Sequence, residues 1–555
     1  MTVFLPDSSL KKTSSLMRRS WLLVLCSLWW AQTAPADSLQ VQQQLSAYLT
    51  NAASSLGLNH PDSLSRFYAD HGYQPVWIIQ KQLTHSAHQL LQVLAHAEQH
   101  GLNPEDYQAE TLLQQALQLN QTPSATAESI HRQVLLELLI SDSLLQFARH
   151  LYAGRVSPRW ELPAKTVALD TLLPALVSAE QPTQQLLAWA PRHRGYHALQ
   201  KQLVILQTQT QWPNIDIGPT LRIGDQGKRV KQLRARMGLS AEPGLFTTEL
   251  KQHIMAFQEQ HGLNPDGAAG KNTLEVLNTP LTERIQQIKA NMERWRWLPD
   301  VLGTRYIMVN IPEFNLRYVE HDQERLGMAV IVGQQKRATP LFAGNMTYLV
   351  FNPSWYVPRS IAVKDKLPKL IQDPGYLDRH NMQVFTGQGR DRRQVNPYAV
   401  PWHRFNEHSF PFRLVQNPGP GNALGKVKFM FPNRHNVYLH DTSQPHLFTK
   451  TTRTFSSGCI RVAQPKALAE VILSQPGEHI QALFAQQNKK TITLKAPIPV
   501  YLVYFTAWQD PNQQLHFTSD IYQHDAELIK ALHIQKTNLP KLQMAHPEHT
   551  HSAAS

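Results

Sequence analysis

Near residue 300 the hydrophobic pattern changes its period, and that change limits what this 555-residue chain can fold into. From about Leu39 to Gln207 apolar residues recur at helical spacing, as in Leu90, Leu91, Val93 and Leu94 and again in Val134, Leu135, Leu138 and Leu139. Turn signals at His100 to Pro104, Ala153-Gly154 and Gln181-Pro182 cut this stretch into separate helices. No titratable cluster stands out in it, so it reads as a helical scaffold. Three short helical patterns follow between about Pro219 and Leu277, then a Glu/Arg/Trp-rich helical segment, Thr282 to Trp297. Beyond it come short β-branched or aromatic runs bounded by Pro, Gly and Asn: Arg305 to Val309, Asn315 to Val319, Gly327 to Val332 and Met346 to Phe351. The fold class expected is multidomain α+β, helical first and mainly antiparallel β afterwards.

The β region is interrupted. Between Pro358 and Phe410 lies a Lys/Arg/Pro/Asp-rich stretch with one short helical run near Lys366 to Ile371, and an insertion of that size inside a β domain is usually functional or mobile. Strands resume at Lys426 to Phe431 and Asn436 to His440, followed by a helix from Lys466 to Leu473 and a β-rich end at Pro499 to Trp508. The tail carries His546, His549 and His551 but has the composition of a disordered terminus, and no metal site is assigned to it.

The N-terminus reads as an export signal. Lys11, Lys12, Arg18 and Arg19 precede an apolar stretch from Trp21 to Ala31, and Ala34-Pro35-Ala36 supplies a small-x-small cleavage site, with Met17 as an alternative start. No run reaches the ~18 apolar residues of a spanning helix, so after cleavage no transmembrane span is expected. Of the two cysteines, Cys26 would leave with the signal. The mature chain then holds one thiol, Cys459, with no intramolecular disulfide partner, and in an oxidising compartment a lone thiol points to reactivity. Loss of residues 1–36 leaves 50 basic and 40 acidic residues, a net charge of +10 that suits an acidic polymer partner. Nucleic acid is excluded as that partner by the export signal and the lack of a basic helix.

Val437 and Leu439 alternate with Tyr438 and His440, so Tyr438 and His440 share a strand face and the imidazole emerges at the strand end. Nineteen positions on, Ser456-Ser457-Gly458-Cys459-Ile460-Arg461 places the thiol on a glycine-containing turn. Thiol and imidazole are the minimum pair for nucleophilic acyl transfer, with flanking amides to hold the oxyanion. No Gly-rich phosphate loop, His-Glu-x-x-His pattern or Ser-x-x-Lys pattern of penicillin-type transpeptidases competes in this block.

Two resemblances follow from these residues. Leu221 to Gly227, the Phe257-Gln258 pair and Asp266-Gly267-x-x-Gly270-x-x-Thr273 resemble the peptidoglycan-binding domain type 1, a three-helix module. His440, Ser456, Gly458, Cys459, Ile460 and Arg461 resemble the signature of the L,D-transpeptidase (YkuD) family, in particular its large multidomain YcbB-like branch; Ser457 stands where many members have His. The boundaries this suggests are a signal peptide over 1–36, scaffold over 37–215, peptidoglycan-binding module over 219–280, and catalytic domain over 281–490 with a lid over about 358–410. A β-rich extension over 491–535 and a disordered tail over 536–555 would complete the chain.

The resemblance implies a periplasmic transferase, without cofactor, whose partners are peptidoglycan stem peptides and glycan together with cell-wall synthesis proteins. Cys459 would attack the amide between meso-diaminopimelate and terminal D-Ala, releasing D-Ala, and a neighbouring diaminopimelate amine would resolve the thioester into a 3→3 cross-link. By the same likeness Cys459 is nucleophile, His440 general base and then acid, and the Gly458 and Cys459 amides the oxyanion hole. Ser457 would assist, Arg461 would meet a carboxylate, and Tyr438 and Trp355 would line the donor groove. Lys364, Lys366, Lys369 and Arg359 of the lid would sit over that groove, and carbapenems would acylate the thiol. Water resolving the same thioester would instead make an L,D-carboxypeptidase or cross-link hydrolase, and loss of catalysis would leave a wall-binding scaffold.

Overall fold

The computed structural model describes residues 36–533 except 52–56, 124–125, 159, 164, 211 and 388. The expected signal peptide, with Cys26, and the histidine-bearing tail fall almost wholly outside the described residues. No helix among the described residues is long and apolar enough to cross a membrane.

In the N-terminal region helices pack around one 27-residue helix, Ala127–Ala153, whose start is capped by the Thr126 hydroxyl accepting from the Ser129 N–H. Its buried stripe carries Glu137, a carboxylate that the periodicity did not flag. Glu137 accepts from the backbone N–H of Val76 (2.6 Å) and Ile78 (2.9 Å) and from the Tyr68 hydroxyl (2.9 Å). Burial pushes it up to about 7 against these donors.

Helices Lys228–Arg236, Thr248–Gln260 and Lys271–Leu277 close around Val230, Leu233, Leu250, Ile254, Phe257 and Leu274. The Phe-Gln pair and the Asp-Gly turn explain each other. Buried Gln258 donates to Asp266 (2.9 Å), Ala268 O (3.0 Å) and Thr273 (3.1 Å), while its Oε1 accepts from Gly267 N–H (2.8 Å). The motif is thus an internal staple of the module.

Helix Leu281–Trp297 leads into the β region, and its arginines and Glu293 are buried: Arg296 pairs with Glu293 at 2.7 Å and Arg294 with Asp525 at 2.5 Å. The strands are β1 (Arg305–Asn310), β2 (Asn315–Glu320), β3 (Gln323–Gly333), β4 (Phe342–Phe351), β5 (Trp355–Tyr356), β6 (Met382–Thr386), β7 (Arg393–Val395), β8 (Arg413–Gln416), β9 (Val427–Met430), β10 (Leu439–His440), β11 (Thr454–Ser456), β12 (Ile460–Val462) and β13 (Lys490–Val503). Nine of them order as β11-β3-β12-β10-β9-β4-β13-β1-β2, and β2 pairs back on β3, which curls the sheet into a barrel. Val330, Leu349, Phe429, Leu439, Ile460 and Val500 fill its interior.

Two expectations are corrected. The stretch from 491 is not as a whole a separate β-rich extension: β13 runs between β4 and β1 inside the main sheet, a small two-stranded sheet of Ala507–Gln509 and Leu515–Phe517 follows, and the described residues end in helix His524–His533. Pro497 and Pro499 make the sequence read as a break, but the register with β4 shifts between Thr493 and Ile498, which accommodates Pro497, and Pro499 then pairs with Asn345. The insertion is wider and more ordered than 358–410 suggests. Its roots are β5 and β8, paired Val415 to Tyr356, and β8 continues into β6 and β7 as a four-stranded sheet. Leu367, Leu370, Leu377, Val384, Trp402 and Phe410 give it a core of its own.

Candidate active site

Strand β10 turns Val437 and Leu439 into the barrel interior and Tyr438 and His440 to the opposite face. Its parallel neighbour β12 pairs Leu439 with Ile460 and His440 with Arg461, and the Ile460 N–H donates to Tyr438 O at 3.1 Å. That register sets Cys459 beside Tyr438, two pairs back from His440 and therefore on the same face. Residues nineteen apart in the chain are therefore neighbours because two short strands run parallel.

A cavity of about 740 Å³ lies between this face and the insertion. Cys459, His440, Tyr438, Arg461, Ser457 and Trp355 all line it. The seventh candidate, Gly458, is buried beneath. Its φ of +117° needs glycine, although a Cβ there would meet nothing closer than 3.9 Å.

The nucleophile turn is tied from below. Thr339 donates to Gly458 O at 2.9 Å and accepts from Gly333 N–H at 2.9 Å. Ser456 Oγ donates to Cys459 O (2.5 Å) and accepts from the Gly458 N–H (3.1 Å). The Gly458 amide is thus committed to Ser456, so the expected pair of oxyanion amides reduces to the Cys459 N–H.

His440 is nearly inaccessible. Its Nδ1–H donates to Asp441 O at 2.5 Å, which leaves the lone pair on Nε2. Burial, with the charges of Arg461 and Lys428, pulls the imidazole down to about 3. Asp441 in turn accepts from the Lys426 and Thr442 amides, each at 2.7 Å. Gly425, at φ +59°, packs against it where a Cβ would stand 2.3 Å from the carboxylate.

Burial also raises the Cys459 thiol, opposed by Tyr438, Lys428 and Arg461. The thiol points toward Asn436 O at 3.7 Å. Tyr438 is held well above the ordinary phenol range by burial and by the neighbouring sulfur, so it stays protonated. At neutral pH the resting pair is therefore a neutral thiol and a neutral imidazole.

The remaining candidates fall differently. Arg461 donates to Gln444 Oε1 at 3.0 Å and meets no carboxylate among the described residues. Trp355 lies under the Lys366 ammonium, 5.4 Å from the ring centroid, and Lys366 donates to the Tyr376 hydroxyl at 2.8 Å. Lys366 and Lys369 line the cavity as expected, but Lys364 does not, and Arg359 instead holds the insertion's own chain by donating to Glu407 O (2.9 Å) and Phe410 O. Two residues escaped the sequence reading. Lys428 lies across β9 and β10 from His440, its ammonium 5.4 Å from the Tyr438 ring. Arg337 pairs with Asp365 and donates to Ser457. Hydrophobic alternation marks Lys428 only as a non-core position, and nothing local marks Arg337.

The fold and this pairing define a multidomain protein with a thiol–imidazole site on a closed β domain. Residues 304–501 match the "L,D-transpeptidase catalytic domain" (YkuD), residues 228–277 the "Putative peptidoglycan binding domain" and residues 62–203 the "Scaffold domain". Residues 304–501 thus form a domain of the L,D-transpeptidase (YkuD) family. The chain is 34% identical over 252 residues to a Haemophilus influenzae protein named "Putative L,D-transpeptidase", covering 44% of this chain and 49% of that relative. The match thus spans about half the length of the curated relative. Among solved structures, an L,D-transpeptidase from Stackebrandtia nassauensis is 15% identical (52% of this chain, 96% of that one, TM-score 0.21). One from Xylanimonas cellulosilytica is 13% identical (52% and 99%, TM-score 0.17). Overlaps this low carry no argument about this chain.

Proposed function

We propose that the protein is an exported peptidoglycan L,D-transpeptidase forming 3→3 cross-links through a Cys459 thioester. The observation that carries this reading is the β10–β12 register, which puts His440 and Cys459 on one face of one cavity, with the His440 Nδ1–H donated to Asp441 O so that Nε2 keeps its lone pair. In the donor step Sγ attacks the carbonyl carbon of the diaminopimelate–D-Ala amide while His440 Nε2 takes the thiol proton. The Cys459 N–H accommodates the oxyanion. Collapse breaks the C–N bond, and the imidazolium returns the proton to the departing D-Ala amine. An acceptor diaminopimelate amine then attacks the thioester, passes its proton to His440 and restores the thiol.

The 228–277 module would hold the enzyme on the wall, and the cationic cavity suits stem peptides with several carboxylates. Export to the periplasm by the N-terminal signal belongs to the same reading. Tetrapeptide-rich sacculi incubated with the protein and resolved chromatographically test it. Formation of 3→3 dimers is expected. Tripeptides without dimers would make the protein a carboxypeptidase, and unchanged muropeptides would leave only a wall-binding role.

A further inference from the structure

We propose that Arg337 is the receptor for a free carboxylate of the stem peptide and that Asp365 of the lid is its internal placeholder. The proposal rests on the transpeptidase reading above and names a recognition element for that site.

Arg337 presents both terminal nitrogens of its guanidinium to Asp365, at 2.7 and 2.8 Å, in the two-pronged arrangement that matches a carboxylate. The same Nη1 donates to Ser457 Oγ at 2.9 Å, two positions before the nucleophile. Arg337, Asp365 and Ser457 all line the cavity shared by Cys459 and His440. Asp365 is the one carboxylate among the described residues of that lining, facing Arg337, Lys366, Lys369 and Arg461. A cavity built for an anionic ligand thus contains one anion of its own, seated on its best-shaped anion receptor.

The two partners stand on different bodies. Arg337 belongs to the barrel, where the Gln334 N–H donates to Ser456 O at 3.0 Å and the Arg337 N–H donates to Gln334 O at 2.8 Å, so its backbone is fixed to the nucleophile turn. Asp365 belongs to the insertion, on the irregular helical segment Ala362–Lys366 just ahead of helix Leu367–Gln372. Their side chains keep 28% and 41% exposure, and an ion pair that open to water adds little net stability, so an incoming carboxylate can displace Asp365. The other three cations are engaged elsewhere: Arg461 with Gln444, Lys366 with the Tyr376 hydroxyl, and Lys369 over the Tyr376 ring at 5.2 Å from its centroid. Exchange of one carboxylate for another would free the lid from the barrel as substrate enters and leave the receptor beside the reacting bond.

Binding to the full chain carrying Cys459→Ala, measured by calorimetry, tests this without turnover. Three synthetic tetrapeptides serve as probes: one with all carboxylates free, one amidated at D-Ala and one amidated at diaminopimelate. One amidated form should bind about tenfold more weakly than the free peptide, the scale of a charge-assisted hydrogen bond, and which form it is identifies the carboxylate read. Adding Arg337→Gln should weaken the free peptide by a similar factor and abolish discrimination. Adding Asp365→Asn should tighten the free peptide several-fold and keep discrimination. Should Arg337→Gln not fold, Asp365→Asn decides alone. Discrimination that survives Arg337→Gln, or weaker binding with Asp365→Asn, overturns the receptor while leaving the transpeptidase reading intact. A chain that binds no stem peptide and makes neither dimers nor tripeptides overturns both.

Discussion

The scaffold and the barrel each bury a titratable group, but they finish it differently. Glu137 receives donors from three successive backbone amides and a tyrosine, and both its oxygens are occupied. His440 is also buried, yet only Nδ1 is spent and the ring lines a cavity with a thiol on its wall. Burial alone therefore says nothing about chemistry. What separates a structural group from a candidate for proton transfer is whether any valence is left over once the fold has been satisfied.

Mutations should separate the two regions. Cys459→Ala is expected to abolish cross-linking while leaving the melting temperature nearly unchanged, because the half-buried thiol contributes little packing; a tenth of wild-type turnover in the muropeptide assay would refute its role. His440→Ala should lower the acylation rate by about 10²–10⁴, read by intact-mass spectrometry with a carbapenem as acyl donor. Glu137→Gln should show the converse, a loss of about 1–3 kcal/mol in denaturant unfolding, since an amide NH₂ would face the backbone donors, with turnover per folded molecule unchanged. If Glu137→Gln instead reduced turnover in fully folded protein, the distinction between the two regions would fail.

Titration should sharpen the same contrast with two opposite slopes. His440 and His261 are pulled down to about 3, and His100 to about 4, from the ordinary 6.5. Below 6.5 the unfolded chain takes up protons that these folded imidazoles refuse, so stability falls as pH drops from about 6.5 toward 4. Glu137 acts the other way: raised from 4.5 to about 7, it holds a proton that the unfolded chain has released, so its contribution falls as pH rises through that window. Melting temperature against pH for the wild type, His440→Ala and Glu137→Gln should show the acid slope shrinking in the first variant and the opposing slope disappearing in the second. The smallest effect concerns the resting thiol. Its alkylation by iodoacetamide should keep accelerating with pH past the ordinary thiol range, and a plateau at neutral pH would mean that a thiolate is already formed.

Much of the site was legible because its chemistry is local in sequence. Tyr438 and His440 share a face by simple alternation, and Gly458-Cys459 announces a turn; strand pairing then brings the two segments together. Arg337, Asp365 and Ser457 meet from three distant stretches, and only the folded insertion unites them. The α-then-β organisation was visible in the change of period near 300. Strand β13 was read only in its second half, from Pro499, and the Glu/Arg/Trp-rich sequence of Leu281–Trp297 gives no sign that its arginines are buried, because partners such as Asp525 come from far along the chain. The oxyanion expectation failed on a side chain, Ser456, whose hydroxyl competes for the Gly458 amide.

The place of β13 has a consequence for the order in which the molecule can come into being. It lies between β4 and β1 and pairs in parallel with a strand made almost two hundred residues earlier, yet it follows both His440 and Cys459 in the chain. A chain emerging from its N-terminus delivers His440 and Cys459 before the strand that completes their barrel, and such long-range pairing is slow to form. The thiol is thus born without a framework to aim it, and the paired site is assembled only when nearly the whole polypeptide has been delivered.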